Sequence, residues 1–514
     1  MAWTFSSGAQ MFLFLSVLLV AGGLRSGHTA SFKFSIHHRF SDSIKDILDS
    51  EGLPEKHTPG YYATMVHRDR LLHDRRLTTT NDDTSPMFSY GNETYNIGGL
   101  GNLYYANVSV GTPGRFFLVA LDTGSDLFWL PCECTKCPTY LTKLDGEKFW
   151  LNHYSPNDST TSTNVPCSNS LCELTNQCTS NKSTCPYKTH HLSPNTSSAG
   201  YLVQDILHLA TNDSQVKPVD MKVTLGCGKV QTGLFSNIAA PNGLIGLGMG
   251  KLSVPSFLAS HGLPDSFSMC FAYDGLGRID YGDVGPLGQR ETPLNPMSLY
   301  YNVTIIQIIV VTRPTNVEFT AIIDTGSSFT YLADPIYSLI TKKMDAAMKL
   351  DRITFDSDYP FEYCYQLPLK TIFLSPNLNF TMESGYDFGA ITTYVSIPTD
   401  DMGGYAVCLA ILKSTNINII GQNLLTGYRI VFDREKMVLG WKEVEDCNSY
   451  GVGTPSGNSP PANEYPPSGD SPPATSTPRK SNSTQPLPEI GAGDATPLNP
   501  LVSLFVVILA ILYV

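Results

Sequence analysis

Between residues 97 and 447 the apolar positions fall in short runs, often alternating with polar ones, and nearly every run stops at Gly, Pro or Asn. β-branched and aromatic residues fill these runs, so the pattern predicts one strand after another and an all-β body with few helices. Two stretches break it. Residues 334–350, opened by Asp334 and Pro335, carry apolar positions at helical spacing. Upstream, "YYATMVHRDRLLHDRRL" (61–77) predicts a second helix, preceded by "SFKFSIHHRFSDSIKDIL" (31–48) with mixed strand and helix signals.

Two of the predicted strands are interrupted by a carboxylate. "FLVALDTGSDLFWL" (117–130) and "FTAIIDTGSSFTYL" (319–332) each place Asp-Thr-Gly-Ser between apolar segments, and each follows a similar strand, "YYANVSVGTP" or "LYYNVTIIQI". A repeat at one large interval points to a duplicated domain, because solenoid repeats recur every few tens of residues. At 514 residues the chain is too long for one core. It divides into one lobe over 97–290 and a second over 291–447, each contributing one Asp.

The ends have other compositions. "MFLFLSVLLVAGGL" (11–24) followed by small residues predicts a secretory signal peptide over 1–27. Residues 28–96 form a leader that precedes the body. Residues 448–490 are a Pro- and Ser-rich stalk, part of a 448–500 stretch with twelve prolines and eight serines. The chain closes on "LVSLFVVILAILYV", shorter than the ~20 apolar residues of a spanning helix. With small residues at Gly491, Ala492 and Gly493, residues 491–514 read as a glycolipid (GPI) attachment signal. A tail-anchored helix is the alternative.

All twelve cysteines lie between Cys132 and Cys447, and an even count behind a signal peptide predicts disulfides. Spacing leaves their connectivity open; Cys364 and Cys408 are a candidate pair. Sequons at Asn92, Asn157, Asn181, Asn195, Asn212, Asn379 and Asn482 predict N-glycosylation, whereas those at Asn107 and Asn302 fall in strand-like stretches expected to stay bare. The net charge of −12 excludes a nucleic-acid partner of ordinary kind. Residues 1–80 nevertheless hold 9 Lys/Arg against 7 Asp/Glu and six of the eleven histidines. A basic, His-rich leader on an acidic body predicts a prosegment that docks electrostatically and lets go when acid protonates the carboxylates.

Two carboxylates brought together share one proton, since both cannot ionise cheaply side by side. One can then activate a water while the other donates to a carbonyl, a route to peptide hydrolysis that needs no cofactor and no metal. Asp122-Thr123-Gly124-Ser125 and Asp324-Thr325-Gly326-Ser327 resemble the paired motifs of pepsin-type aspartic proteases. Trp129, "GLIGLG" (243–248) and "IIGQNLLTGYRIVFDREKMVLGW" (419–441) extend the resemblance, and the Cys-rich insertion with the "FKFSIHHRF" leader is most similar to the nepenthesin-like plant branch.

The resemblance implies a bilobal fold with pseudo-two-fold symmetry and a cleft between the lobes. It also implies catalysis by Asp122 and Asp324, a Thr123–Thr325 hydrogen bond across the axis, and Ser125 and Ser327 holding the outer carboxylate oxygens. The family's flap Tyr falls on His191 here, with Tyr187 or Tyr201 as the alternatives. The expected protein is a monomeric, secreted or membrane-anchored endopeptidase acting on polypeptides in acid. A non-catalytic binding or inhibitor protein on the same fold is the competing reading, and a structural surface glycoprotein the third.

Overall fold

The computed structural model describes residues 32–447 apart from 49–51, 78–86, 102, 144–145, 191–195, 210–218, 238, 356–358, 369–370, 400–403 and 445. The chain separates into two units, 1–452 and 453–514, and the second lies outside the described residues, as do the predicted signal peptide, stalk and attachment signal.

Strands dominate, as the alternating pattern requires. Among the described residues the largest sheet has fourteen strands and the next seven, with a four-stranded sheet and two hairpins besides. The seven-stranded sheet is built around Asn302–Val310 and Arg313–Ile323, and so belongs to the second half of the chain. The largest sheet draws mainly on the first half, yet Tyr428–Asp433 pairs with Ser266–Phe271 within it, and Val438–Glu443 follows. The predicted helix near 334–350 is present as Ile336–Ala347, with Ile336, Tyr337, Ile340, Thr341 and Met344 facing inward.

The two Asp motifs occupy equivalent positions. Arg115–Asp122 runs parallel to Leu244–Gly246, which also pairs with Trp129 beyond the turn. Arg313–Ile323 runs parallel to Ile419–Ile420, which also pairs with Tyr331. Each motif therefore leaves and re-enters a sheet across one short central strand. Close approach dictates glycine on both: a Cβ on Gly246 would stand 2.2 Å from the Asp126 carbonyl carbon, and one on Gly421 only 2.0 Å from the Phe329 oxygen.

The leader is integrated into this framework. Its strand Phe32–His38 pairs antiparallel with Leu276–Tyr281 and touches Tyr104–Val110, inside the largest sheet. Phe32, Phe34 and Ile36 are buried in the core, as are Tyr61, Tyr62, Met65 and Val66 of the leader helix Pro59–Leu77.

All twelve cysteines are paired: Cys132–Cys227, Cys134–Cys137, Cys167–Cys178, Cys172–Cys185, Cys270–Cys447 and Cys364–Cys408. Asn92, Asn157 and Asn181 are exposed, as is Asn107 despite its place in a strand; Asn379 and Asn302 are half-buried. Asn195, Asn212 and Asn482 lie outside the described residues. No helix among the described residues is long and apolar enough to cross a membrane.

Candidate active site

Each Asp sits at the end of a strand with a Thr-Gly turn behind it, and the turn's own amide grips the carboxylate. Gly124 N donates to Asp122 Oδ1 at 2.9 Å, and Gly326 N donates to Asp324 Oδ1 at 3.1 Å. The turns meet through their threonines. Thr123 and Thr325 hydroxyls lie 3.2 Å apart, and Thr325 N donates to Thr123 Oγ1 at 3.4 Å. Both threonines are buried, so this bond joins the two halves of the chain where water does not compete. The carboxylates converge: Asp324 Oδ1 and Asp122 Oδ1 are 3.3 and 3.8 Å from the point where a Cβ on Gly326 would stand.

The two halves are not equal. Ser327 Oγ donates to Asp324 Oδ2 at 2.7 Å, and Asp324 is only 3 % exposed. Asp122 is half-buried, and Ser125 Oγ is buried with no hydrogen-bond partner among the described residues. The expectation that both serines hold outer carboxylate oxygens therefore applies to Ser327 and not to Ser125. The first turn is instead pinned through its backbone, with Leu247 N donating to Asp122 O and Gly248 N to Ser125 O, both at 2.8 Å.

A hairpin of Pro186–His190 and Ser197–Leu209 stands over the first motif. Its tip, including His191, lies outside the described residues. Tyr187 is buried, with its ring against Gly226 and its hydroxyl 2.9 Å from Ser198 Oγ. With Ser125, Leu127, Lys188 and Leu252 it lines a cavity of about 250 Å³ beside the first motif. Tyr201 points elsewhere, donating to Glu133 at 2.9 Å. Trp129 is fully buried against Phe235, ring centroids 4.9 Å apart.

The densest polar contacts at the site come from residues that sequence patterning did not single out. The leader helix crosses the second motif. Arg68 donates from Nη1 to Gly326 O at 3.0 Å and from Nε to Gly101 O at 2.7 Å. Asp69, completely buried and ion-paired with Arg68, accepts from Ser328 N, Ser328 Oγ, Phe329 N and the Tyr331 hydroxyl at 2.8–3.2 Å. Burial pushes the Asp69 carboxyl up to about 6, against the opposing pull of Arg68 and these donors. His73 Nε2 is 2.8 Å from Ser327 Oγ. Because Ser327 spends its proton on Asp324, the imidazole N–H is the donor, and the leader joins the hydrogen-bond chain that ends on the Asp324 carboxylate. The available signal was the run "HRDRLLH": charges inside a helix that also carries core residues must find buried partners.

Comparison with known proteins agrees with this geometry. Residues 104–283 match the family model described as xylanase inhibitor N-terminal, and 300–443 match xylanase inhibitor C-terminal. The chain is 50 % identical to Aspartyl protease family protein 1 of Arabidopsis thaliana over 456 residues, covering 87 % of this chain and 88 % of the relative. It is 26 % identical to Aspartic proteinase nepenthesin-2 of Nepenthes gracilis, covering 72 % and 83 %. Among solved structures, soybean basic 7S globulin superposes with a TM-score of 0.51 at 21 % identity, over 67 % of this chain and 95 % of that one, a likeness of fold. A duplicated Asp-Thr-Gly turn joined at its threonines, on a chain half identical to a plant aspartyl protease, places this protein in the pepsin-like aspartyl protease family.

Proposed function

We propose that the protein is a secreted aspartic endopeptidase that hydrolyses peptide bonds in acid. The observation that carries this reading is the convergence of Asp122 and Asp324 across the Thr123–Thr325 bond. Two adjacent carboxylates hold one proton between them. The ionised member takes a proton from a water between the pair, and the protonated member donates to the carbonyl under attack. The tetrahedral diol then collapses as the leaving amine takes up a proton. Gly124 N, Gly326 N and Ser327 Oγ fix the carboxylates beforehand, so little reorganisation is needed during reaction.

The leader is then an inhibitory prosegment, since its helix covers the motif that carries Asp324. Six disulfides and the apolar N-terminal run support passage through the secretory pathway. The C-terminal run supports a lipid anchor, which release from membranes by a phosphatidylinositol-specific phospholipase would test. Leader-free protein should cut an unfolded polypeptide at about pH 4, where a carboxylate pair keeps its shared proton. Pepstatin and Asp324→Asn should each abolish the cleavage. Equal cleavage by Asp324→Asn would overturn the proposal. Complete inactivity of a folded, leader-free protein would favour a binding role instead, a reading encouraged by the inhibitor name of the matching family models.

A further inference from the structure

The acid response of the leader cannot come from the carboxylate at the centre of its contact. Asp69 is easier to protonate docked than free, because burial raises its carboxyl to about 6. A group with that shift binds its proton more tightly in the docked state. Falling pH therefore strengthens its hold. The expectation that acid loosens the leader by protonating carboxylates has the wrong sign at Asp69.

The leader's imidazoles behave in the opposite sense, and His38 most of all. It ends the leader strand, is 7 % exposed, and packs edge-on to Tyr104 with centroids 5.3 Å apart. Its Nδ1 accepts from Phe40 N at 3.3 Å, so that nitrogen must be unprotonated. The charges facing it are cations: Arg39 beside it, Lys56 ahead of the helix, and Arg68 on the helix. Of the neighbouring anions, Asp69 is spent on Arg68 and the 328–331 loop, while Asp274 belongs to an exposed turn and acts on Tyr104. The neighbouring hydroxyls, Tyr61 and Tyr104, are buried and hold their protons far above neutrality.

We propose that protonation of His38 is the trigger by which acid drives the leader out of the cleft. A charged imidazole would oppose the Phe40 N–H with a second donor. It would also join Arg39, Lys56 and Arg68 as a fourth cation, and Arg68 is the residue that ties the helix to Gly101 and Gly326. The strain passes directly to the helix, because Phe40 packs edge-on against Tyr61 at 5.0 Å. Burial and these cations lower the His38 value from 6.5 to about 3, and burial also lowers His37, His57 and His67. Each regains its ordinary basicity once released. Release therefore takes up protons and is favoured progressively below about pH 6.5.

The inference rests on reading the leader as an inhibitory prosegment, and its test requires no catalysis. Full-length Asp324→Asn protein, which cannot cut itself by the proposed route, is followed by hydrogen exchange corrected for intrinsic rate. In this parent, protection of 32–38 and 59–73 should fall between pH 7 and pH 4, the His38 contribution of on the order of a hundred-fold outweighing the gain at Asp69. His38→Asn supplies an acceptor to Phe40 N but cannot charge, and its loss should be at least ten-fold smaller. A smaller difference, or a parent that keeps its leader protected at pH 4, overturns the proposal. Should His38→Asn leave strands 266–281 unprotected at pH 7, imidazole C2 exchange in the parent decides instead. His38 must then titrate well below 6.5 while the leader is docked, and an ordinary value overturns the trigger. Because nothing here depends on turnover, failure would leave the cleavage assay untouched.

Discussion

At the residue scale the site separates side chains that look equivalent in sequence. Ser125 and Ser327 stand at the same place in the two motifs, yet only Ser327 bonds its aspartate. Removing a buried donor to a carboxylate leaves the charge under-solvated, at a cost of roughly 1–3 kcal/mol. Leader-free Ser327→Ala should therefore lose about ten- to a hundred-fold in kcat/KM, mostly in kcat, whereas Ser125→Ala should lose about three-fold or less. Steady-state kinetics on one peptide would decide, and equal losses would refute the asymmetry. Asp69 invites a second comparison. Asp69→Asn sets an amide where four donors of the 328–331 loop and one from Arg68 expect a carboxylate, so leader protection should drop at pH 7. Below about 6 the native carboxyl takes up its proton more readily docked than free, so the parent gains protection that the variant cannot, and the gap should widen. A gap that stays constant or narrows in acid would show that docking does not raise the Asp69 carboxyl.

At the scale of elements, disulfides and strand pairs can be weighed apart. Cys364 and Cys408 face each other on paired strands and close a span of 44 residues. Loop closure of that size is worth about 4 kcal/mol by the chain-entropy model, so Cys364→Ala with Cys408→Ala should lower denaturant stability by about that amount. A loss below about 1 kcal/mol would mean that strand pairing alone restrains the span.

The elements also show what could be read beforehand. Asp122 and Asp324 were legible because the turn repeats with its flanking strands, and duplication carries register along with residues. The 61–77 helix was legible from its spacing, since helix periodicity is local. Its destination was not, because Arg68 reaches Gly326 across 258 residues and nothing local encodes that pairing. Membership of Tyr428–Asp433 in the large sheet was hidden for the same reason: pairing partners are a tertiary choice. Tyr187 and Tyr201 could not be ranked from sequence because their roles depend on Gly226 and Glu133, on other strands.

For the molecule as a whole, the leader is held by two different kinds of contact. Its strand pairs with Leu276–Tyr281 and buries Phe32, Phe34 and Ile36, an apolar attachment that ends on the acid-sensitive His38. Its helix is fastened by Arg68, Asp69 and His73, a polar attachment made where water does not compete. Cutting the chain within 78–86 removes neither. A nick there at pH 7.5 should therefore leave both fragments co-eluting in size-exclusion chromatography, with the cleft still closed to pepstatin. Acidification to about pH 4 should free strand and helix together, because His38 ends the strand and Phe40 beside it packs on Tyr61 of the helix. Exchange on the nicked complex would then show 32–38 and 59–73 losing protection over the same pH range. Were both to be lost together on nicking at neutral pH, covalent continuity rather than the Arg68–Asp69–His73 contact would be what keeps the leader in place.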